Sequence, residues 1–244
     1  MNITKPNTVH TARTIMLLEL SKVMSFSIEK DNYIESMANN VFGKRSQDGI
    51  KKTSSLLTQL YTFNYNSANF MAFKYFWSIS NNSERALVAF IYAINNDYLL
   101  QESISVISKC RIGDKLEIVE IEENIKRYHP NRFTKNTIRS VAQNIASSWK
   151  QSGFVTGKVK NIRTENEITY QVVCFAMLLS YIGGLRGDFI NQSYCVLSLC
   201  LSEAKVRELA LEASKRDLIQ YQFAGNITSI SFNILLTKIR INAI

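Results

Sequence analysis

Apolar residues recur at intervals of three and four along most of the chain, the spacing that turns one face of an α-helix toward a core. In the first hundred residues this pattern predicts at least five helices. Asp31, Ser46 and Ser83 can each act as an N-cap for one of them. The helices are expected at residues 11–25, 33–41, 46–60, 66–77 and 83–94. Because no alternation of apolar and polar residues is long enough for a sheet, we expect residues 1–112 to form a helical domain.

The middle of the chain begins with a short helix and a longer one. Asp114 can start the short helix, and His129-Pro130-Asn131 ends it, since the residue before a proline is pushed out of the helical region. Thr134 can cap the longer helix, and Gly153 can end it in a left-handed conformation. The apolar stripe of this longer helix consists of Ile138, Val141, Ile145 and Trp149.

Residues 154–163 follow directly and predict a basic β-hairpin with a turn near Gly157. Helix, turn, longer helix and hairpin is the order of a winged helix-turn-helix. We therefore expect residues 113–167 to form a winged-helix DNA-binding unit.

The C-terminal region, residues 168–244, repeats the order of helix and hairpin. Helices are expected at 168–182, 188–199 and 202–216, and a final hairpin at 218–223 and 227–232. The helix before this hairpin mixes acidic and basic residues, so we interpret the second unit as structural or partner-binding. The expected fold class is mainly α, a helical N-terminal region followed by winged helix-turn-helix-like units with short β-hairpins.

Charge distinguishes the middle segment from the rest of the chain. Of the 29 basic residues, nine lie between Lys126 and Arg163, and no acidic residue lies between Glu123 and Glu165. The other 20 basic residues balance the 20 acidic ones, so this segment carries the whole net charge of +9. A local positive field attracts polyanions. A solvated charged face is the alternative, although such a face usually mixes both signs.

The outer face of the longer helix carries side chains that suit base edges. Arginine pairs with guanine, and asparagine or glutamine pairs with adenine, while lysines meet phosphates. An ordinary polar face beside an exposed hairpin is the alternative. The residues predicted to contact DNA are Arg132, Lys135, Asn136, Arg139, Ser140, Gln143, Asn144, Ser147, Lys150, Lys158, Lys160 and Arg163.

A second basic cluster lies near the N-terminus, interrupted by Asp48. It can extend a DNA-binding surface, but solvated helix surface is the simpler interpretation. Its residues are Lys44, Arg45, Lys51 and Lys52.

Signals for catalysis, a cofactor or a metal are weak, and we expect none of the three. The two histidines, His10 and His129, are far apart in sequence, and the four cysteines form no CxxC pair. The glycine-rich stretch 183–187 lacks the Lys-Ser/Thr ending of a phosphate loop. Reduced thiols fit a cytoplasmic protein. The most apolar stretch, 170–185, is shorter than the roughly 20 residues of a membrane span, so no membrane insertion is expected.

Several short blocks resemble the BrxA family of BREX bacteriophage-defence loci. The resemblance also includes 137–153, with Ser148-Trp149-Lys150, and the closing hairpin. It implies a small, mostly helical, non-catalytic component that binds DNA, in a system that restricts phage DNA and marks host DNA. Proteins of this type have also been labelled inner-membrane proteins, which the length of 170–185 speaks against. The blocks are Asn40-Val41-Phe42-Gly43-Lys44-Arg45-Ser46, Glu84-Arg85-Ala86-Leu87-Val88-Ala89-Phe90 and Asp97-Tyr98-Leu99-Leu100-Gln101-Glu102-Ser103.

The leading functional hypothesis is an accessory protein that binds double-stranded DNA and works beside other defence-system proteins. An assembly adaptor, whose basic segment contacts an acidic partner or nothing, is the second. An RNA-binding regulator is the third. An enzyme with a site assembled from distant carboxylates is the fourth. The oligomeric state and the DNA sequence preference stay open.

Overall fold

The computed structural model describes residues 8–225 and 227–241. Helices dominate it, as predicted, and two small antiparallel hairpins complete it. The helices before the middle segment are α1 (Leu17–Lys30), α2 (Tyr33–Ala38), α3 (Gln47–Tyr61), α4 (Ala68–Ile79), α5 (Asn82–Asn96) and α6 (Tyr98–Ile107).

Two of the predicted helix starts in this region are wrong by one or two residues. Asp31 does not cap α2, because it ends α1 in a left-handed conformation with φ of 51°. Asn32 caps α2 instead, accepting a hydrogen bond from the Glu35 amide. Asn81 rather than Ser83 caps α5. The predicted cap of α3, Ser46, is confirmed.

The first predicted helix begins later than expected, at Leu17 instead of Thr11. Residues 8–16 form no helix, and we call them the N-terminal strap. Val9 and Ile15 of the strap are fully buried in the hydrophobic core. The strap is non-helical because its polar groups bond to distant helices, as described below.

The middle segment contains α7 (Ile118–Tyr128), α8 (Lys135–Gln151), β1 (Val155–Thr156) and β2 (Ile162–Arg163). α7 starts after Glu117, not at Asp114 as predicted. Residues 113–116 instead run along β2, where the Leu116 amide donates to the Asn161 carbonyl at 2.7 Å. All four residues of the predicted stripe of α8 are buried: Ile138, Val141, Ile145 and Trp149.

The C-terminal region contains α9 (Tyr170–Ile182), a 3-10 helix (Gly187–Ile190), α10 (Tyr194–Leu197), α11 (Glu203–Ser214), β3 (Gln220–Ala224), β4 (Ile227–Ser231) and α12 (Asn233–Lys238). The helix predicted at 188–199 is broken in two, because Ser193 caps a new helix. The closing hairpin is confirmed, with Ala224 paired to Ile227. α12 was not predicted. No helix in the described ranges has both the length and the apolar character needed to cross a bilayer.

Candidate nucleic-acid interface

The turn between α7 and α8 is fixed by contacts to α6. His129 ends α7 and places its Nε2 atom 2.8 and 2.9 Å from the two carboxylate oxygens of Glu102. Its ring also meets the Tyr98 ring edge-on, with centroids 5.2 Å apart. Thr134 caps α8 as predicted, accepting a hydrogen bond from the Thr137 amide. The start of α8 is therefore held in one orientation against α6.

The hairpin after α8 closes on a tight turn. Gly157 has φ of +97°, and a Cβ atom there would lie 2.2 Å from the Lys160 carbonyl oxygen, so only glycine fits. Lys150 on α8 donates from Nζ to the Gly157 carbonyl at 2.7 Å. This bond holds the turn beside α8, with Lys158 and Lys160 exposed on it.

The N-terminal half of α8 is open to solvent on the side opposite its buried stripe. Because a recognition helix uses its first turns to contact base edges, this is the half that such a role requires. The exposed residues predicted to contact DNA on this half are Lys135, Asn136, Arg139, Ser140 and Gln143.

The C-terminal half of α8 lies under the N-terminal strap. Asn144 donates from Nδ2 to the His10 carbonyl at 2.9 Å, so its amide is engaged inside the protein. Gln151 donates to Thr14 Oγ1 at 2.9 Å. Ser147 is half-buried. The prediction that Asn144 reads a base is therefore corrected: the helical spacing placed it on the outer face correctly, but a segment distant in sequence covers that face.

Arg163 also requires a correction, because it is only 6% exposed. Its guanidinium donates to the Phe154 carbonyl at 3.0 Å and to the Thr164 carbonyl, and it lies over the Phe154 ring. Because both bonds tie the wing to the end of α8, Arg163 stabilises the hairpin and is not free to meet a phosphate.

The remaining cations of the segment form one exposed set. None of them pairs with a carboxylate within the ranges 8–225 and 227–241. Their charges are therefore not neutralised locally, which gives the start of α8 and the wing a positive field. We call this set the basic face: Arg132, Lys135, Arg139, Lys158 and Lys160.

No protein-family model matches the chain. No curated protein is significantly similar to it either. What this surface can do chemically therefore has to follow from its own side chains. Exposed ammonium and guanidinium groups, next to amides and a hydroxyl on one helix face, suit the binding of a polyanion that carries hydrogen-bonding groups.

A buried polar network lies behind α8, and sequence reasoning missed it. His10 of the strap places Nδ1 2.8 Å from Asp97 Oδ2 and Nε2 2.9 Å from Ser148 Oγ. The Ile15 amide donates to the same Ser148 oxygen at 3.1 Å. Asp97 also accepts from the Val9 amide at 2.7 Å. The strap is thus joined at several points to α6 and α8.

The order Asp–His–Ser in this network matches the connectivity of a catalytic triad. All three side chains are fully buried, however, so no substrate reaches the serine. Burial acts to raise the pKa of Asp97, but the charge of His10 and the hydrogen bonds from His10, Val9 and Thr8 outweigh it and lower the pKa. The carboxylate is therefore ionised at neutral pH and serves to hold the strap.

The other candidate groups for chemistry do not converge. In the described part of the chain, no three His, Cys, Asp or Glu side chains lie close enough to hold a metal ion. All four cysteines are free thiols. Burial raises the pKa of Cys195 to about 12, against weaker hydrogen bonds that lower it, and raises the pKa of Cys174 well above its usual range. A thiol in that state is a poor nucleophile.

The second predicted cluster is partly neutralised. Lys44 pairs with Glu19 on α1, with 2.7 Å between Nζ and Oε1. Arg45, Lys51 and Lys52 are exposed. Lys44 therefore serves the contact between its loop and α1, and three free cations are left on this surface.

Proposed function

We propose that this chain binds double-stranded DNA as a non-enzymatic accessory protein of a BREX-type phage-defence system. The observation that carries the DNA-binding part is the basic face, a set of unpaired cations on the first turns of α8 and on the wing. Because no acidic residue lies between Glu123 and Glu165, nothing in this stretch opposes a polyanion.

We further propose that α6 to β2 form a winged helix-turn-helix. In support of this, α6, the extended residues 113–116, α7, α8 and the hairpin follow in that order, and 113–116 pair with β2. The recognition helix would be α8, with Asn136, Arg139 and Gln143 toward base edges. Lysines on the wing would meet phosphates, which position the protein without reading sequence.

A salt-titrated binding curve tests this function. Each phosphate contact contributes about −0.9 to the slope of log K against log salt, so the five cations of the basic face predict a slope near −4.5. Affinity for duplex DNA should then fall about 500-fold between about 50 and 200 mM salt. Fluorescence anisotropy on two unrelated sequences measures both the slope and the weak sequence dependence expected from phosphate contacts.

Two outcomes of that titration would contradict the proposal. A slope close to zero would mean that the cations meet no phosphates. Structured RNA displacing duplex DNA from the same surface, at lower concentration than duplex competitor, would favour the RNA-binding alternative. The groove width differs between the two helices, so a helix fitted to the DNA major groove should prefer DNA.

An assembly adaptor is a second candidate, favoured by the surface of the C-terminal region. Phe189, Tyr194 and Leu197 are 69%, 54% and 47% exposed there, which is typical of surfaces that bind other proteins. On α11, Lys205 pairs with Glu208 and Arg207 with Glu203, so this helix lacks the free cations of α8. A pull-down that survives nuclease, with no shift of naked DNA, would support an adaptor alone.

The defence role rests on the resemblance of the short sequence blocks to BrxA proteins. If the role is correct, a host that carries the matching defence locus should lose protection when the basic face is reversed in charge. Plating efficiency of phage measures this, with protein abundance checked by immunoblot. Full protection by a variant that no longer binds DNA would separate the defence role from DNA binding.

A further inference from the structure

We propose that bound duplex DNA continues beyond the basic face onto a second surface, so that the chain engages more than one turn of the double helix. This inference rests on the proposed DNA binding and extends it. We call the second surface the flanking basic area; it consists of Arg13, Lys44, Arg45, Lys51 and Lys52.

Direct contacts join the end of α8 to the strap. Gln151 donates from Nε2 to Thr14 Oγ1 at 2.9 Å, and its Oε1 accepts from the Leu17 amide at 3.0 Å. Arg13 precedes Thr14 and is exposed. The guanidinium of Arg13 is therefore presented beside the C-terminal end of α8, on a segment that the buried His10 network holds in place.

The strap leads to the next cations through α1. Glu19 lies two residues after Leu17, and its Oε1 atom is 2.7 Å from Lys44 Nζ. Burial acts to raise the pKa of Glu19, but the hydrogen bond from Lys44 and the charges of Lys44 and Arg13 lower it, so both cations act on one carboxylate. Arg13 and Lys44 are thus neighbours in space although 31 positions separate them in sequence.

The loop that carries Lys44 is rigid. Asn40 accepts from the Lys44 amide at 2.9 Å and donates to the Lys44 carbonyl at 2.7 Å. Arg45 follows, and Ser46 caps α3 directly after it. The positions of the next cations, on the first turns of α3, are therefore fixed relative to α1 and the strap.

The flanking basic area carries free positive charge. Arg45, Lys51 and Lys52 are exposed, and none of them pairs with a carboxylate that the structure describes. Glu19 is already neutralised by Lys44. A polyanion leaving the end of α8 therefore meets further cations.

The distances require a duplex longer than one turn. α8 has 17 residues, which at 1.5 Å per residue is about 25 Å. The steps from Gln151 through Leu17 and Glu19 to Lys44 add roughly 15 Å, at 3.8 Å between successive Cα atoms plus side chains. The contour of about 40 Å exceeds one turn of B-DNA, about 34 Å. A short duplex held at the start of α8 therefore cannot reach the flanking basic area.

Binding to duplexes of two lengths tests this geometry. The full chain is titrated onto duplexes of about 10 and about 25 base pairs, one and more than two turns. The variant Arg45→Glu, Lys51→Glu, Lys52→Glu should bind the long duplex between about 100- and 500-fold more weakly at about 0.1 M salt. Its salt slope on that duplex should be smaller by about 3, and its affinity for the short duplex should change less than about threefold.

A matched variant controls for net charge. Lys205→Glu, Lys215→Glu, Lys238→Glu makes the same change of charge elsewhere on the surface and should bind both duplexes like the unaltered chain. Thermal unfolding verifies that both variants fold. Loss of affinity on both lengths, or on neither, would overturn the extended surface and leave the proposed function intact. Failure of the unaltered chain to bind either duplex would overturn the proposed function itself.

Discussion

Reversing Arg139, Lys158 and Lys160 together to glutamate is expected to weaken binding to duplex DNA by at least about 500-fold at about 0.1 M salt. Each of the three cations is exposed and without an ion pair among the described residues, so each is free to displace a condensed counterion. Glutamate at the same positions also repels the phosphates. The salt slope should fall by about 3.

The fold should tolerate these substitutions. Exposed charges away from caps and buried groups usually change stability by under about 0.5 kcal/mol. The variant Lys205→Glu, Lys215→Glu, Lys238→Glu again serves as the control, since it alters the net charge equally. Anisotropy titrations at several salt concentrations give the comparison. Equal losses in the two variants would show that only the total charge matters, and the basic face would then not be the binding surface.

Asp97→Ala is expected to lower the free energy of unfolding by about 3–5 kcal/mol, because it leaves the buried partners of a fully buried charge unpaired. The carboxylate accepts from the Thr8 hydroxyl, the Val9 amide and His10, and it also caps α6. A lost cap alone costs about 1 kcal/mol. Urea denaturation measures the change.

Glu167→Ala is a suitable control, since Glu167 is an exposed loop residue. It should alter the free energy of unfolding by less than about 0.5 kcal/mol. A change of the same small size in Asp97→Ala would mean that the strap does not depend on this network.

The pH dependence of stability gives a second test of Asp97. Its pKa in the folded chain lies below the ordinary value of 3.8, so the folded state binds fewer protons than the unfolded state in this range. The stabilisation is therefore fully present above about pH 5 and is lost as the pH falls through the folded pKa. This part of the acid sensitivity should disappear in Asp97→Ala, measured as the denaturation midpoint between about pH 2 and 6.

Features with a local cause could be predicted from the sequence. The stripe of α8 and its cap Thr134 depend on spacing and on hydrogen bonds between near neighbours, and both are confirmed. Arg163 and Asn144 could not be placed correctly, because the segments that cover them are distant in sequence. Asn144 bonds to a residue 134 positions away.

The polar network behind α8 had no sequence signal at all. His10 and Ser148 are 138 positions apart, and isolated histidine and serine residues occur at many unremarkable positions. The apolar residues Val9 and Ile15 on either side of His10 were the available hint, since a buried flank indicates a segment that packs against the core.

The strap also sets a timetable for the nascent chain. Residues 8–16 emerge from the ribosome 138 positions before Ser148, the partner of His10. At about 5–20 residues per second, the strap waits roughly 7–28 seconds for that partner to be synthesised. During this interval Val9 and Ile15 have no completed core to enter. The first described segment to be made is therefore among the last to reach its native contacts, and a chaperone acting on the chain during translation would meet it exposed.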